Sequence, residues 1–337
     1  MGKKLTYKEF EAGIIKALMS YKEDAITKVE GNYKGKSNPK VLPNANAEVP
    51  AMLYGGIREV WEEMQSGQFK YKPHIYSFLH IASSQTACVN LFLPILTSPN
   101  ANEIIKQSGI APADFDSLDV QSLFRGFQFE YPGGKLLEDN SGVITDSDVA
   151  IAYLNKKKEK NLWLIEHKLT ETNFTHCGGY KTQSKAMQEK PQYKENCLKY
   201  SLEDIIADHS LCYYHAVSGY EYWNVMDGSG KDFFYGAYDK KGGCPFRKGM
   251  NQLWRNQLIA MAMEREKEYK QVCLSVVKHP KNTSLNKTIE AYKRLTNNAH
   301  KFSAFTSLDL ISACEKAAPG LKDWIEWYKK VYWITNE

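Results

Sequence analysis

Two acidic residues and a lysine stand at the ends of two neighbouring apolar segments of the chain. Asp148 begins the first segment, and Glu166 and Lys168 end the second. Because alternate side chains of a strand share a face, Glu166 and Lys168 would point the same way and His167 the other way. If the two segments form a hairpin centred near Lys157, Asp148 lies opposite Glu166. The spacing therefore predicts two carboxylates and an ammonium group at one end of a sheet.

Such a group of side chains has a defined chemistry. Two carboxylates forced together repel each other unless they share a proton or a cation, and an oxygen-rich site with few protein ligands suits hydrated Mg²⁺. A metal there would polarise a phosphoryl oxygen and lower the pKa of a bound water, while the lysine could orient that water or stabilise charge on the phosphate. The residue types thus point to hydrolysis of a phosphodiester bond.

The acid-any-lysine pattern alone has a second explanation, a structural salt bridge at the end of a strand. Residues 239–241 and 268–270 contain the same pattern. Only Glu166 and Lys168, however, end a Leu-Trp-Leu-Ile strand that follows an acid-headed strand at the distance of a turn. This context favours the site over the salt bridge.

The elements around the hairpin follow a regular order. Residues 76–96 are apolar almost all round and predict a buried helix, and the alternation in residues 124–131 predicts a strand. The hairpin arms are apolar on both faces, which places them in the middle of a covered sheet. A helix in residues 247–266 and a strand in residues 272–277 follow. This order predicts an α/β fold with a central mixed sheet flanked by helices.

We divide the chain into three predicted segments. Residues 1–75 form an N-terminal helical extension, with helices in residues 6–20 and 47–64. Residues 76–280 form the core, with an insert at 171–245 after the hairpin. Residues 281–337 form a C-terminal helical segment.

The pattern resembles the PD-(D/E)XK nuclease superfamily, whose restriction-endonuclease-like core runs helix, strand, hairpin, helix, strand. The resemblance covers roughly residues 76–280, and the stretches SSQTACVNLF, IEHKLTE and CPFRKGMNQLWRNQ resemble a little-characterised bacterial branch. It implies Asp148 and Glu166 as metal ligands, Lys168 as the catalytic lysine, and Mg²⁺ as the cofactor, for which Mn²⁺ can substitute. It implies an endonuclease of DNA, of restriction or phage-defence type.

The chain departs from the superfamily pattern at two places. Ser147 precedes the first acid where many members have proline, and the helix in residues 76–96 lacks the glutamate that many members add to the metal site. Gln85 is the nearest polar substitute, and we include it among the candidate catalytic residues. Gln252 and Asn256, on the helix after the insert, are candidates for a polar residue near the site.

The insert offers a second candidate site. Its four cysteines contain no Cys-x-x-Cys pair, so buried unligated thiols are favoured over a structural Zn²⁺, and an iron–sulfur cluster is less favoured still. Lysines in the insert, with two residues of the following helix, could contact nucleic acid. The cysteines are Cys177, Cys197, Cys212 and Cys244, and the candidate contacts are Lys181, Lys185, Arg255 and Asn256.

Composition sets broader limits. The net charge of +5 suits a polyanionic partner without identifying one, and 43% hydrophobic residues supply a sizeable core. The sequence has no apolar run of about 18 residues and no apolar leader, so we expect a cytoplasmic protein without membrane contact and without disulfides. A homodimer is one arrangement open to it. The alternatives are an RNA nuclease of the same fold and a non-catalytic, cysteine- or zinc-supported protein that binds nucleic acid.

Overall fold

The structure is a computed structural model, and it describes residues 5–44, 50–67, 75–138, 145–181, 185–230, 233–234, 236–297 and 300–334. Its strands are β1 (Gly31–Tyr33), β2 (Lys36–Asn38), β3 (Phe115–Leu118), β4 (Phe127–Tyr131), β5 (Ser147–Asn155), β6 (Lys160–Lys168), β7 (Val272–Lys278) and β8 (Phe302–Thr306). Its helices before the hairpin are α1 (Tyr7–Tyr21), α2 (Arg58–Ser66), α3 (Ile75–Leu79), α4 (Ser84–Leu96) and α5 (Ala101–Gln107). The insert contains α6 (Gly178–Lys181), α7 (Lys185–Gln188), α8 (Gln192–Lys199), α9 (Leu202–Ala207), α10 (Tyr213–Ala216) and α11 (Tyr222–Val225). The remaining helices are α12 (Asn251–Arg265), α13 (Asn286–Leu295), α14 (Ser307–Ala317) and α15 (Lys322–Val331).

A mixed sheet forms the centre of the fold, with its strands in the order β3-β5-β6-β7-β8. Strand β4 also pairs with β5, on a different stretch of that strand from β3. The pairs β5–β6 and β5–β4 are antiparallel, and β6–β7 and β7–β8 are parallel. Helices flank this sheet, so the predicted α/β fold with a central mixed sheet is confirmed.

The two faces of the hairpin are covered by different parts of the chain. Val149 and Ile165, which lie opposite each other, belong to a core cluster that includes residues of α1, α4, α14 and α15. Ala150 and Leu164, the next pair, belong to a second cluster that includes residues of α12 and the insert. Because side chains alternate along a strand, Glu166 shares the α12 face with Leu164. The continuous apolar character of both arms reflects this double covering.

Several predicted elements have different bounds in the structure. The predicted helix 76–96 is two helices, because Ser83 caps α4 by accepting a hydrogen bond from the amide of Thr86. The predicted helix 47–64 begins only at Arg58 in the described residues, and positions 45–49 lie outside them. Helix α1 matches its prediction and carries a capping box between Thr6 and Glu9. Strands β1, β2, β3 and β8 were not predicted.

His279, directly after β7, gives a prediction about acid stability. Its Nε2 donates to the carbonyl of Tyr332 (2.7 Å) and its Nδ1 accepts from the amide of Lys281 (3.1 Å), so both nitrogens are satisfied by the neutral ring. Burial lowers the pKa of His279 to about 4. The unfolded chain therefore binds more protons than the folded chain between about pH 6.5 and 4, and this difference should remove about 3 kcal/mol of stability as the pH falls through that window.

Urea unfolding at several pH values measures this effect. The His279→Gln protein should lose less stability than the parent between pH 7 and pH 4. His300→Gln changes an exposed histidine and is the matched control, which should follow the parent. Equal pH slopes for the parent and His279→Gln would contradict the prediction.

Candidate active site

The end of the β5–β6 hairpin brings the three predicted residues together. The register places Val149 opposite Ile165, so Asp148 and Glu166 are the next residues along the two strands. The amide of His167 donates to Oδ2 of Asp148 (2.6 Å), and Nζ of Lys168 donates to Oε1 of Glu166 (2.7 Å). Glu166 and Lys168 are buried, and Asp148 is half-buried.

Two amides of α12 fix the carboxylate of Glu166. Gln252 Nε2 donates to Oε1 (2.7 Å) and Asn256 Nδ2 donates to Oε2 (2.9 Å). The two residues are four apart, so they lie one above the other on the same face of the helix. Both residues were predicted from the sequence as candidates near the site, and both hydrogen-bond to Glu166.

Two further acidic residues lie at this site, and sequence analysis did not single them out. Glu130 lies in β4 between Phe129, which pairs with Val149, and Tyr131. Its backbone has φ 47°, a left-handed conformation that costs a residue other than glycine about 1–3 kcal/mol. Asp146 is one of the groups that raise the pKa of Glu130, so the two carboxyl groups lie close together. The sequence signal that could have identified Glu130 is an acidic residue near the end of the strand before the hairpin.

Charge crowding dominates the electrostatics of these carboxylates. Burial, and then repulsion by Glu166, raises the pKa of Asp148 well above its ordinary value, although Lys168 and the His167 amide oppose the shift. Burial, and then Asp148 and Asp146, raises the pKa of Glu130. Ionisation of these neighbouring acids is therefore unfavourable, and an added cation would relieve their repulsion.

The pKa of Lys168 is also raised, which for an ammonium group favours the charged form. Burial by itself would lower the pKa of Lys168, but Glu166, Glu171 and Asp148 together raise it above its ordinary value. The side chain therefore stays charged at neutral pH. A fixed positive charge beside two carboxylates can stabilise the negative charge of a phosphate or hold a water molecule.

The donor set fits a divalent metal that has few protein ligands. Within the described parts of the chain, no group of three or more His, Cys, Asp or Glu side chains has the arrangement to hold a metal ion. Mg²⁺, however, is usually bound by one or two carboxylates, with water and substrate phosphate completing its shell. Beside Glu166, the buried oxygens Oε1 of Gln252 and Oδ1 of Asn256 have no hydrogen-bond partner among the described residues. Water in the shell of such a metal would satisfy these acceptors.

Gln85 lies on the first turn of α4, the helix that covers the other face of the hairpin. The neighbouring hydroxyl of Ser84 donates to the carbonyl of His167 (2.8 Å), which ties this turn to β6. Oε1 of Gln85 is buried and has no partner among the residues that the structure describes. Its part in the site stays a prediction.

The other candidates divide between surface and interior. Lys181 and Lys185 are exposed, whereas Arg255 donates to Oγ1 of Thr145 (2.7 Å) and lies 3.7 Å from Glu138. Asn256 is fully buried, and its described side-chain hydrogen bond is to Glu166. The cysteines 177, 197, 212 and 244 are all buried free thiols.

Asn256 and its neighbour Gln257 give a matched pair of variants. In Asn256→Leu, Oε2 of Glu166 loses its donor, which should lower the free energy of unfolding by about 1–3 kcal/mol and also reduce activity. Gln257 is equally buried, but neither polar atom of its amide has a partner among the described residues. Gln257→Met should therefore leave stability unchanged or higher. Denaturant unfolding compares the two, and an equal loss in both proteins would contradict the role of Asn256.

Comparison with known proteins gives one match. The model of the family described as "Restriction Endonuclease associating with ARP" matches residues 6–333. No curated protein and no solved structure gives a match. None of the described helices is long and apolar enough to cross a membrane.

Proposed function

Because the chain belongs to this restriction-endonuclease family and is thus a nuclease, we propose that it is a Mg²⁺-dependent endonuclease that hydrolyses DNA, of restriction or phage-defence type. The observation that carries the proposal is the convergence of Asp148, Glu166 and Lys168 at one end of the hairpin. A salt bridge needs only Glu166 and Lys168. It leaves unexplained why Asp148, Glu130 and Asp146 are crowded against the same group.

Each residue has a distinct task in the proposed reaction. Asp148 and Glu166 would hold the metal, which would polarise the phosphate as a Lewis acid and lower the pKa of a bound water. Lys168 donates to the attacking water or to a phosphate oxygen and stabilises the charge that develops there. Gln252 and Asn256 keep the Glu166 carboxylate in one orientation, since each donates to a different oxygen. The water oxygen forms a bond to phosphorus while the bond from phosphorus to the sugar oxygen breaks. The attacking water gives up a proton to solvent, and the leaving sugar oxygen takes one up from solvent.

We expect the protein to contact DNA through the phosphate backbone. The exposed Lys181 and Lys185 belong to the insert that packs with α12 on the active-site face, and the chain as a whole carries a net charge of +5. Contacts of this kind are independent of sequence and weaken as salt is added. Cutting both strands of a duplex requires two active sites or two events, and a homodimer would supply two sites. Light scattering of the purified protein, alone and with DNA, tests that arrangement.

The test is a cleavage assay with several substrates. Purified protein is incubated with closed-circular plasmid, linear duplex, single-stranded DNA and RNA, each with Mg²⁺, with Mn²⁺ and with chelator. Conversion of the closed circle to nicked or linear product, only when metal is added, is expected. Cleavage of RNA alone would support the RNA nuclease. DNA binding in chelator without any product in metal would support the non-catalytic binding protein.

A further inference from the structure

The four cysteines of the insert are far apart in sequence, yet hydrogen bonds join their segments in a closed ring. The amide of Cys177 donates to the carbonyl of Arg247 (3.2 Å), three residues after Cys244. The amide of Cys244 donates to the carbonyl of Cys197 (3.0 Å). The remaining two links run from Asn196 Nδ2 to the carbonyl of Leu211 (3.0 Å), next to Cys212, and from the amide of Gly178 back to Oη of Tyr214 (3.0 Å).

One of these links requires a glycine. Gly243 has φ 77°, and a Cβ atom there would lie 2.5 Å from the carbonyl oxygens of both Cys197 and Leu198. Any other residue would separate the two segments. The backbone around Cys244 and Cys197 is therefore fitted for close approach.

The four cysteine side chains are buried in the interior of the insert. Each of the four residues is 6–7% exposed, so none of the thiols faces open solvent.

Backbone amides also surround these sulfurs. Amides two or three residues further along the chain favour the thiolate form of three of the four cysteines. The pairs are Cys177 with Gly179 and Tyr180, Cys212 with Tyr214 and His215, and Cys244 with Phe246. Successive amides directed at one atom favour an anion, and the anionic form of a cysteine is the form that binds metal. A buried neutral thiol has no need of such donors.

A positive charge completes the surroundings. Arg247 Nη1 donates to the carbonyl of Cys244 (2.8 Å), and its buried Nε has no hydrogen-bond partner among the described residues. A four-cysteine zinc centre carries two net negative charges, and a guanidinium group beside it would offset part of that charge. The ring, the amide donors and Arg247 together form an environment suited to thiolates.

We propose that Cys177, Cys197, Cys212 and Cys244 bind one structural Zn²⁺. Within the described part of the chain, no group of three or more His, Cys, Asp or Glu side chains is arranged to hold a metal ion. Binding would therefore require the four cysteine side chains to rotate towards one another and each thiol to release its proton. The tetrahedral centre would fasten four otherwise separate segments of the insert to one another.

Metal analysis of the full-length protein tests the proposal directly. Protein purified without chelator should contain one zinc per chain, and Co²⁺ substitution should produce the thiolate-to-cobalt absorption bands of a four-sulfur site. Cys197→Ser and Cys244→Ser should lower the zinc content at least severalfold. Cys273→Ser and Cys314→Ser change buried cysteines outside the cluster and should retain one zinc.

Three results would overturn the proposal. They are parent protein without zinc, zinc content unchanged in both cluster variants, and stoichiometric iron in place of zinc. The measurement on the parent protein does not depend on whether a variant folds. It is also independent of nuclease activity, so its failure would leave the assignment of Asp148 and Glu166 untouched.

Discussion

Replacing Asp148 by asparagine is expected to abolish DNA cleavage and, at the same time, to make the metal-free protein more stable. Activity should fall by at least about 10²-fold, the loss typical when one fixed electrostatic group is removed from a catalytic site. Asparagine keeps an oxygen to accept the His167 amide, but it removes one charge from the group formed with Glu166, Glu130 and Asp146. The melting temperature should rise by about 2–4 °C, which corresponds to about 1 kcal/mol.

Asp116 provides the matched control. It lies on β3, whose pairing with β5 is at the far end of that strand from Asp148, and it forms a salt bridge of 2.8 Å with Lys158. Asp116→Asn should leave cleavage unchanged and should not increase stability. A plasmid cleavage assay and a thermal melt in chelator measure both properties. Full activity in Asp148→Asn would refute the proposed metal ligand, and a lower melting temperature would refute the charge crowding.

Replacing Lys168 by methionine is expected to remove activity and stability together. Glu166 would then be a buried carboxylate without its ammonium partner, and removal of one member of a buried pair costs about 3–5 kcal/mol. The opposite stability effects at Asp148 and Lys168 follow from the sign of each charge in a cluster that has an excess of acids. Denaturant unfolding and the cleavage assay again give the two readouts.

A second substitution separates the structural loss from the chemical one. The double variant Glu166→Gln with Lys168→Met has no buried charge at this pair, so most of the lost stability should return. Cleavage should not return, because both the ligand and the ammonium group are missing. A double variant that is both stable and active would show that Glu166 and Lys168 form a structural salt bridge only.

The parts of the site that are local in sequence could be predicted, and the parts that depend on tertiary packing could not. Alternation and turn distance placed Asp148 against Glu166, because hairpin register is set by neighbouring residues. Glu130 was missed because its direction depends on a left-handed residue within a strand, and alternation does not predict such a residue. Gln252 and Asn256 could be named but not chosen between, because only the packing of α12 shows that both reach Glu166.

Strand β8 was also missed because its place depends on tertiary packing. Residues 302–306, FSAFT, are a short segment that is half-buried at three of its five positions. Its place in the sheet is set by parallel pairing with β7, between Leu274 and Phe302 at one end and Lys278 and Thr306 at the other. A parallel partner is reached through an intervening helix, so no turn signal marks the pairing in the sequence.

The side-chain amides of Gln252 and Asn256, which donate to Glu166, also affect when a newly made chain can become active. Asp148, Glu166 and Lys168 leave the ribosome well before Asn256, which is 90 residues after Glu166. At about 5–20 residues per second, the interval is roughly 5–20 s. During that time, the Glu166 carboxylate lacks the two donors that orient it. An unfinished chain therefore carries its acids and its lysine without a completed site, and we expect it to be inactive until α12 has been made.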